Sequence, residues 1–235
     1  MLFTDWAAFV RQNTNTDSTT FTDTEMLLDM NVARVELGMR IIKEAGEDIF
    51  GLKFTRDLLA NVREYKLPSE LKKIKFIQVD FGSGYKVLKE TDLISYGGAI
   101  SEEEILSHFN DEQPCYDIFA NNIYILNGSP IVNVTNGLYL WAIVLPAKFT
   151  SLTADRDLAT PPDEYSLGFP EEFQELLARR VQIMYKTSGD RNLTLNDSEL
   201  KYESDLKTTM NNVRLLNLAR SSVSKVRSKS DGSEY

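Results

Sequence analysis

Residues 22 to 49 carry more apolar surface than one helix face can hold. Leu28, Val32, Val35, Met39, Ile42 and Ile49 recur at three-four spacing, the period of an amphipathic helix. Leu27, Met30, Leu37 and Ile41 widen that stripe. Thr22 and Glu25, three positions apart, have the form of a capping box, and Asp23 adds negative charge near the helix start. The spacing predicts one long helix over 22–49. Two arrangements satisfy it: a central core helix, or a helix packed both inside its own subunit and against a neighbouring one.

The pattern on either side of this helix differs. Before it, Trp6, Phe9 and Val10 suit one face of a short helix, and the polar stretch from Asn13 to Thr20 reads as a loop. After it, from Gly51 to about Leu145, the signals change to strand and turn. Strands are expected at 58–67, 74–80 and 84–88, with Gly82 and Gly84 flanking a turn. Pro68 most simply ends one strand at Leu67 and forces a turn through Ser69 and Glu70. Short helices are expected at 90–96 and 101–109, the second capped by Ser101. Asn127-Gly128 and Asn136-Gly137 each sit between strand-like runs, which predicts a three-stranded meander over 122–145. Pro130 is its weak point.

Residues 146–168 are interrupted by Pro146, Pro161 and Pro162, and so long an irregular stretch tends to be functional or to pack on a partner. Two helices follow. One opens at Pro170, with Phe173, Leu177, Val181 and Met184 as its stripe, and ends at Gly189. The other opens near Asn196 or Asp197, with Leu206, Met210, Val213 and Leu216 as its stripe, Leu200 before and Val223 after. The Ser- and Lys/Arg-rich end loses periodicity and is expected to be disordered in an isolated subunit. The expected fold class is α+β: a helical bundle, one long N-terminal helix plus two C-terminal helices, with an inserted antiparallel β-rich subdomain. The expected division is 1–50 (N-terminal helical part), 51–168 (β-rich insert and long loop), 169–226 (C-terminal helices) and 227–235 (flexible tail).

The chemistry-bearing residues are sparse. The net charge of −9 disfavours tight, sequence-independent DNA binding, which needs Lys and Arg to displace counterions. No run approaches the length of a membrane helix, and the N-terminus lacks the basic start and apolar core of a signal peptide. Cys115 and His108 each stand alone, so neither an intrachain disulfide nor a Cys/His metal set is expected. The sequons at Asn127, Asn133, Asn192 and Asn196 read as loop composition. Asp155, Asp157 and Asp163 lack a calcium-loop pattern and read as solvated carboxylates. No phosphate-loop, dinucleotide or nucleophile-elbow motif is found, and F-G-S-G-Y at 81–85 is only a two-glycine turn. The expectation is a protein that is not an enzyme and uses no metal or cofactor. Paired carboxylates acting as a hydrolase remain a minor alternative.

Four pieces occur in one order: R-D-L-L-A-N-V-R-E-Y-K-L-P-S-E-L-K-K-I-K-F-I-Q-V (56–79), P-C-Y-D-I-F-A-N-N-I-Y-I-L (114–126), N-G-L-Y-L-W-A-I-V-L-P (136–146) and L-G-F-P-E-E-F-Q-E-L-L-A-R-R-V (167–181). In this the chain resembles the head-to-tail adaptor proteins of tailed bacteriophages, including those similar to tail tubular protein A. The family's L-P before the late helix is G-F-P here, and the irregular segment is long.

The resemblance implies a ring, usually of twelve subunits, in the virion neck below the portal. The subunits would be made in the host cytoplasm. Such a ring extends the channel through which double-stranded DNA passes and offers a surface to tail, stopper or nozzle proteins. It implies portal docking through the C-terminal segment, with Arg214, Arg220, Lys225 and Arg227 as candidate contacts, and no membrane association. A cyclic ring needs two different sticky faces per subunit. The wide stripe supplies one, with Leu37 and Ile41 as its expected outward, inter-subunit residues. The alternative reading is a β-rich carbohydrate- or receptor-binding virion protein using Tyr124, Tyr139 and Trp141.

Overall fold

The computed structural model describes residues 1–96, 101–152, 157–188 and 195–230. The side chains of 94, 96, 195, 196 and 217–230 lie outside the description. The protein is mixed α+β, with five helices and two four-stranded sheets among the described residues. It divides into two units. The first holds Met1–Ile49, Pro146–Pro162 and Gly168–Tyr235, and the second Phe50–Leu145 and Asp163–Leu167. Residues 146–162 therefore group with the helices, not with the β-rich insert expected over 51–168.

In the first unit, α1 (Phe3–Thr14) buries Phe3, Trp6, Ala7 and Val10, and leaves Phe9 half-buried. Helix α2 (Asp23–Glu44) starts at the expected capping box. The Thr22 hydroxyl accepts from the Glu25 N–H at 3.3 Å, and the Glu25 carboxylate accepts from the Thr22 N–H at 3.0 Å. The chain resumes with a 3₁₀ turn at Glu171–Phe173, α4 (Gln174–Thr187) and α5 (Leu195–Ser230). Helix α4 packs against α1, α2 and α5. Helix α5 continues to Ser230, past the point where the sequence loses its periodicity.

The two faces of α2 are reversed from expectation. Met26, Met30, Ala33, Leu37 and Ile41 are fully buried in the unit's own core. Leu28, Val32, Val35 and Met39 face outward, with Leu28 65% and Val32 48% exposed. Leu37 and Ile41 are thus core residues and offer no surface to a neighbouring subunit. The cause is geometric. The lines 26-30-33-37 and 28-32-35-39 have the same spacing and are offset by two residues, which at 3.6 residues per turn puts them on nearly opposite sides. Periodicity cannot choose between them. The first line is the buried one, and Ala33 and Gly38 are buried with it.

The irregular segment is bound to the same unit. Asn31 clamps Phe149 through two bonds: its Nδ2 donates to the Phe149 carbonyl, and its Oδ1 accepts from the Phe149 N–H, both at 2.9 Å. The buried Arg34 donates to the Pro146 carbonyl. Phe149 meets Phe3 edge-on at 5.4 Å. Gly168 lies so close to Ala159 that a Cβ there would sit 1.7 Å from the Ala159 carbonyl oxygen.

The second unit holds β1 (Gly51–Leu58), β2 (Glu64–Lys66), β3 (Leu71–Asp80), β4 (Tyr85–Val87), β5 (Lys89–Glu90), α3 (Glu102–His108), β6 (Cys115–Phe119), β7 (Asn122–Leu126) and β8 (Val134–Val144). One sheet has the order β1-β8-β3-β4, the other β2-β7-β6-β5. Ile77, Val79, Leu138 and Leu140 of the first share one core with Tyr65, Tyr116, Ile123 and Ile125 of the second. Pro68 separates β2 from β3 as expected, and the Leu71 N–H closes the turn on the Pro68 carbonyl at 3.3 Å. The two strands it separates enter different sheets. The strand expected at 58–67 is the end of β1, an irregular link and β2.

The three-stranded meander does not form. Neither Asn-Gly pair makes a hairpin turn, because each is recruited by tertiary contacts. Asn127 is buried in a polar network, and Asn136 (φ 54°) sits in a bulge inside β8, where its N–H donates to Asp57 at 2.7 Å. Opposite that bulge, Arg56 pairs with Leu138 but Leu58 pairs with Val134. The tight hairpin is instead β6–β7, turning at Ala120 and Asn121, both with positive φ as a type I′ turn requires. The Gly82/Gly84 turn joins β3 to β4 as expected, with the Asp80 carboxylate accepting from both N–H groups. The insert is not wholly antiparallel, since β5 runs parallel to β6. Ser101 caps α3 through a full capping box with Glu104.

The burial difference on α2 is directly measurable. Leu37→Ala removes a fully buried side chain and is expected to cost about 2–5 kcal/mol. Val35→Ala on the outer line is expected to cost no more than about 0.5 kcal/mol. Urea unfolding of the intact chain separates the two, and equal losses would refute this assignment of the faces.

Candidate functional site

The outer line of α2 forms one wall of an open groove of about 1100 Å³. Leu27, Leu28, Val32 and Val35 supply the helix side, and Lys148 and Phe149 the other. The Asn31 clamp on Phe149 holds the two walls together, so the groove is built into the fold. At the N-terminal end of α2 a smaller pocket of about 380 Å³ shares Leu28 and is lined by Glu25, Asp29 and Tyr185. Burial, then the nearby Glu25 charge, pushes the Asp29 carboxyl above its ordinary range. Among the described residues no basic side chain pairs with Asp29. The groove is apolar and acidic at one end.

Ion pairs fix the helices around it. Arg40 of α2 makes a two-pronged contact with Glu203 of α5 at 2.6 and 2.7 Å. Glu36 of α2 accepts from Arg180 of α4 at 3.0 Å. Arg179 of α4 pairs with Asp205 of α5. Tyr202 is buried among these groups, and burial pushes its hydroxyl up to about 12. Helix α5 packs inward through Tyr202, Leu206 and Met210, and beyond them Leu215 and Leu216 are exposed.

The second unit offers two further features. On one face of the β1-β8-β3-β4 sheet, Tyr139 lies against Phe76 at 5.8 Å, and Trp141 meets Phe76 edge-on at 5.3 Å. Tyr85 meets Tyr139 at 6.4 Å, and the Lys53 ammonium stands 4.7 Å from the Trp141 ring centroid. Tyr124 belongs to the other sheet and takes no part in this run.

The other feature is a polar network around Arg63, which is 5% exposed. Arg63 donates to both oxygens of Glu102 at 2.6 and 2.7 Å, to Asn127 Oδ1 at 2.7 Å and to the Ile125 carbonyl at 3.1 Å. Asn127 in turn donates to Asp111 at 2.9 Å, and Ser129 donates to the same carboxylate. The Arg63 hydrogen bond holds the Glu102 carboxyl below its ordinary range against the opposing effect of burial. Burial raises the Asp111 carboxyl, and hydrogen bonds from Ser129, Asn127 and the Gly128 N–H lower it by more. Every member has a partner, which makes this a structural clamp.

The remaining candidates are scattered. Arg214 is exposed on α5. The side chains of Arg220, Lys225 and Arg227 lie outside the described residues, although the helix backbone runs through their positions. Leu37 and Ile41 are in the core. His108 bonds to the Glu104 carbonyl of its own helix. Burial pushes the Cys115 thiol up, the reverse of activation. Asp157 bonds to the Met1 amine, Asp163 caps its own turn and Asp155 lies outside the described residues. Among the described residues no three His, Cys, Asp or Glu stand together as a metal set. None of the described helices is long and apolar enough to cross a membrane. Asn127 is fully buried and closed to glycosylation, while Asn133 is exposed. The sequence reading missed the Arg63 network. Its only trace was Asn127-Gly128, which also reads as a turn.

Compared with models of known protein families and with curated proteins, the chain matches none.

Removing the Glu102 charge leaves a buried guanidinium short of its anion. Glu102 is half exposed, so Glu102→Gln is expected to lower stability at pH 7 by only about 1–2 kcal/mol. The carboxyl is depressed in the folded state. Its contribution is therefore complete above the ordinary carboxylate range and lost as pH falls through the folded value. The gap between wild type and variant is expected to be constant above about pH 5 and to close below about pH 4. Denaturant melts across that window measure it, and a gap unchanged at pH 3 would show that the contribution is not ionic.

Proposed function

We propose that the protein is a structural component of a bacteriophage neck: a head-to-tail adaptor that forms a ring below the portal and extends the DNA channel. In this reading the helices form a bundle, with α2 as its long N-terminal member and α4 and α5 as its C-terminal members. The β-rich unit is an insertion between them. Tail, stopper or nozzle proteins attach below, and DNA passes without specific binding.

The observation that carries the reading is the outward apolar line of α2. Leu28, Val32, Val35 and Met39 form a contiguous apolar strip on a helix that already has a complete core face. Such strips mark interaction surfaces, and a ring subunit needs a surface of this kind that its own core does not use. The order of the four sequence segments, from Y-K-L-P through to G-F-P-E-E-F, points to the same family. The basic character of residues 214–227 suits docking on a partner. The net charge of −9 suits a channel that DNA slides past.

A second reading rests on the sheet face of Phe76, Tyr139, Trp141 and Tyr85. Tyr85 is exposed and the other three are half-buried; aromatic faces open to solvent stack on sugars, which makes a carbohydrate-binding virion protein the alternative. A glycan titration followed by Trp141 fluorescence tests it, and no change at millimolar sugar excludes it.

Electron microscopy of the chain mixed with the portal protein of the same genome tests the main reading. A symmetric ring under the portal is expected. The double variant Val32→Asp/Met39→Asp is expected to melt within about 2 °C of wild type, because both positions are exposed, and to form no rings. Wild-type chain that leaves portals bare would sink the proposal. Rings formed equally well by the variant would move the interface elsewhere.

A further inference from the structure

The first unit carries two exposed apolar features on different helices. One is concave: the α2 groove, with Lys148 and Phe149 as its second wall and the acidic pocket of Glu25 and Asp29 at its end. The other is convex. Helix α5 leaves the core after Met210, and its next apolar pair, Leu215 and Leu216, is 64% and 55% exposed. Residues 211–230 extend about 30 Å at 1.5 Å per residue. They hold five basic residues, Arg214, Arg220, Lys225, Arg227 and Lys229, and no acidic one, in a chain of net charge −9. The protein is thus strongly asymmetric in charge, and the basic part is the end of α5 that follows Met210.

We infer that the α2 groove of one copy receives the Leu215–Leu216 turn of α5 from a second copy, with Arg214 directed to the Glu25/Asp29 end. A groove and a projecting knob on different faces of one chain make a heterologous, head-to-tail contact. Repeated, such a contact closes into a ring or runs on as a filament. The inference rests on the ring reading proposed above and names the contact that holds neighbouring subunits together. It also offers a partner to Asp29, a half-buried carboxylate beside another carboxylate with no basic partner among the described residues. An incoming guanidinium supplies that partner and favours the charged form.

Mixed-disulfide trapping between two full-length variants tests the contact. Both carry Cys115→Ser; one adds Val32→Cys and the other Leu216→Cys. On oxidation at high protein concentration, the mixed dimer is expected to exceed either homodimer. Asp29→Lys is expected to lower its yield several-fold, and Arg214→Glu on the other partner to restore it. Homodimers alone, or no dimer, overturn the inference. So does a monomeric internal disulfide in a dilute chain carrying both new cysteines, because the groove would then belong to the chain's own α5. Portal assays keep the two proposals separate. Rings that persist below portals with Leu215→Asp/Leu216→Asp overturn this contact and leave the adaptor reading intact. Mixed dimers from a wild-type surface that ignores portals leave the contact and remove the adaptor reading.

Discussion

The packing of α2 on α4 sets everything else in the helical unit. Helix α2 presents two apolar lines of equal spacing, and it packs against α4 with the line of Met26, Met30, Ala33 and Leu37 buried. Burying Met26, Met30, Leu37 and Ile41 on that side gains roughly 1.5–3 kcal/mol for each large side chain. The rotation is then held from the flanks, by Glu36 to Arg180 and by Arg40 to Glu203. Each such pair is partly exposed and contributes at most about 1 kcal/mol. Turning α2 over would break both pairs together and would expose Met26, Met30, Leu37 and Ile41. The outward strip is a consequence of that choice. So is the groove, because the same rotation aims Asn31 at Phe149 and closes the second wall.

In the β-rich unit the equivalent decision is made by buried polar groups. Asn127-Gly128 has the chemistry of a hairpin turn, but Asn127 is worth more as a ligand of Arg63. Its side chain satisfies a buried guanidinium and is itself satisfied by Asp111 and Ser129. Gly128 is needed because a Cβ there would lie 2.6 Å from the Phe109 carbonyl oxygen. The pair is spent on a long-range contact, and the chain crosses from one sheet to the other between β7 and β8 instead of turning back. Asn136-Gly137 is drawn into a bulge in the same way, by Asp57 and Thr55 on β1. Ala120-Asn121, whose turn signal in the sequence is weaker, makes the hairpin.

These cases show where sequence reading holds and where it fails. Local features were legible: the capping box at Thr22, the N-cap at Ser101, the break at Pro68, the glycine turn at 82–84 and the helix beyond Pro170 each depend on residues within four positions. The mixed α+β class followed from them. What was lost depends on partners far along the chain. The reversal of Leu37 and Ile41 against Val32 and Val35 turns on a helix some 140 residues away in sequence. The two-sheet topology turns on Arg63 finding Asn127, 64 positions on. The groove was half legible. The excess of apolar residues on α2 fitted either a core helix or one serving two surfaces, and which residues belong to which surface was not in the pattern.

The size of the proposed contact has a consequence for assembly. A single groove accepting one turn of a helix covers less area than the roughly 1,200–2,000 Å² of a stable standard interface. Association also has to overcome lost translational and rotational freedom, which small interfaces offset poorly. Two copies meeting in solution through this contact alone would therefore be held weakly. On a portal, as the proposed adaptor, the situation would differ. Subunits docked side by side on a symmetric template are at high effective concentration, and each lateral contact becomes an intramolecular event. A contact too weak to build rings in free solution is then strong enough to close one where a template sets the number of places. On the adaptor reading, weak lateral contacts and templated closure belong together: a stronger groove would polymerise the free chain into filaments before it reached its template.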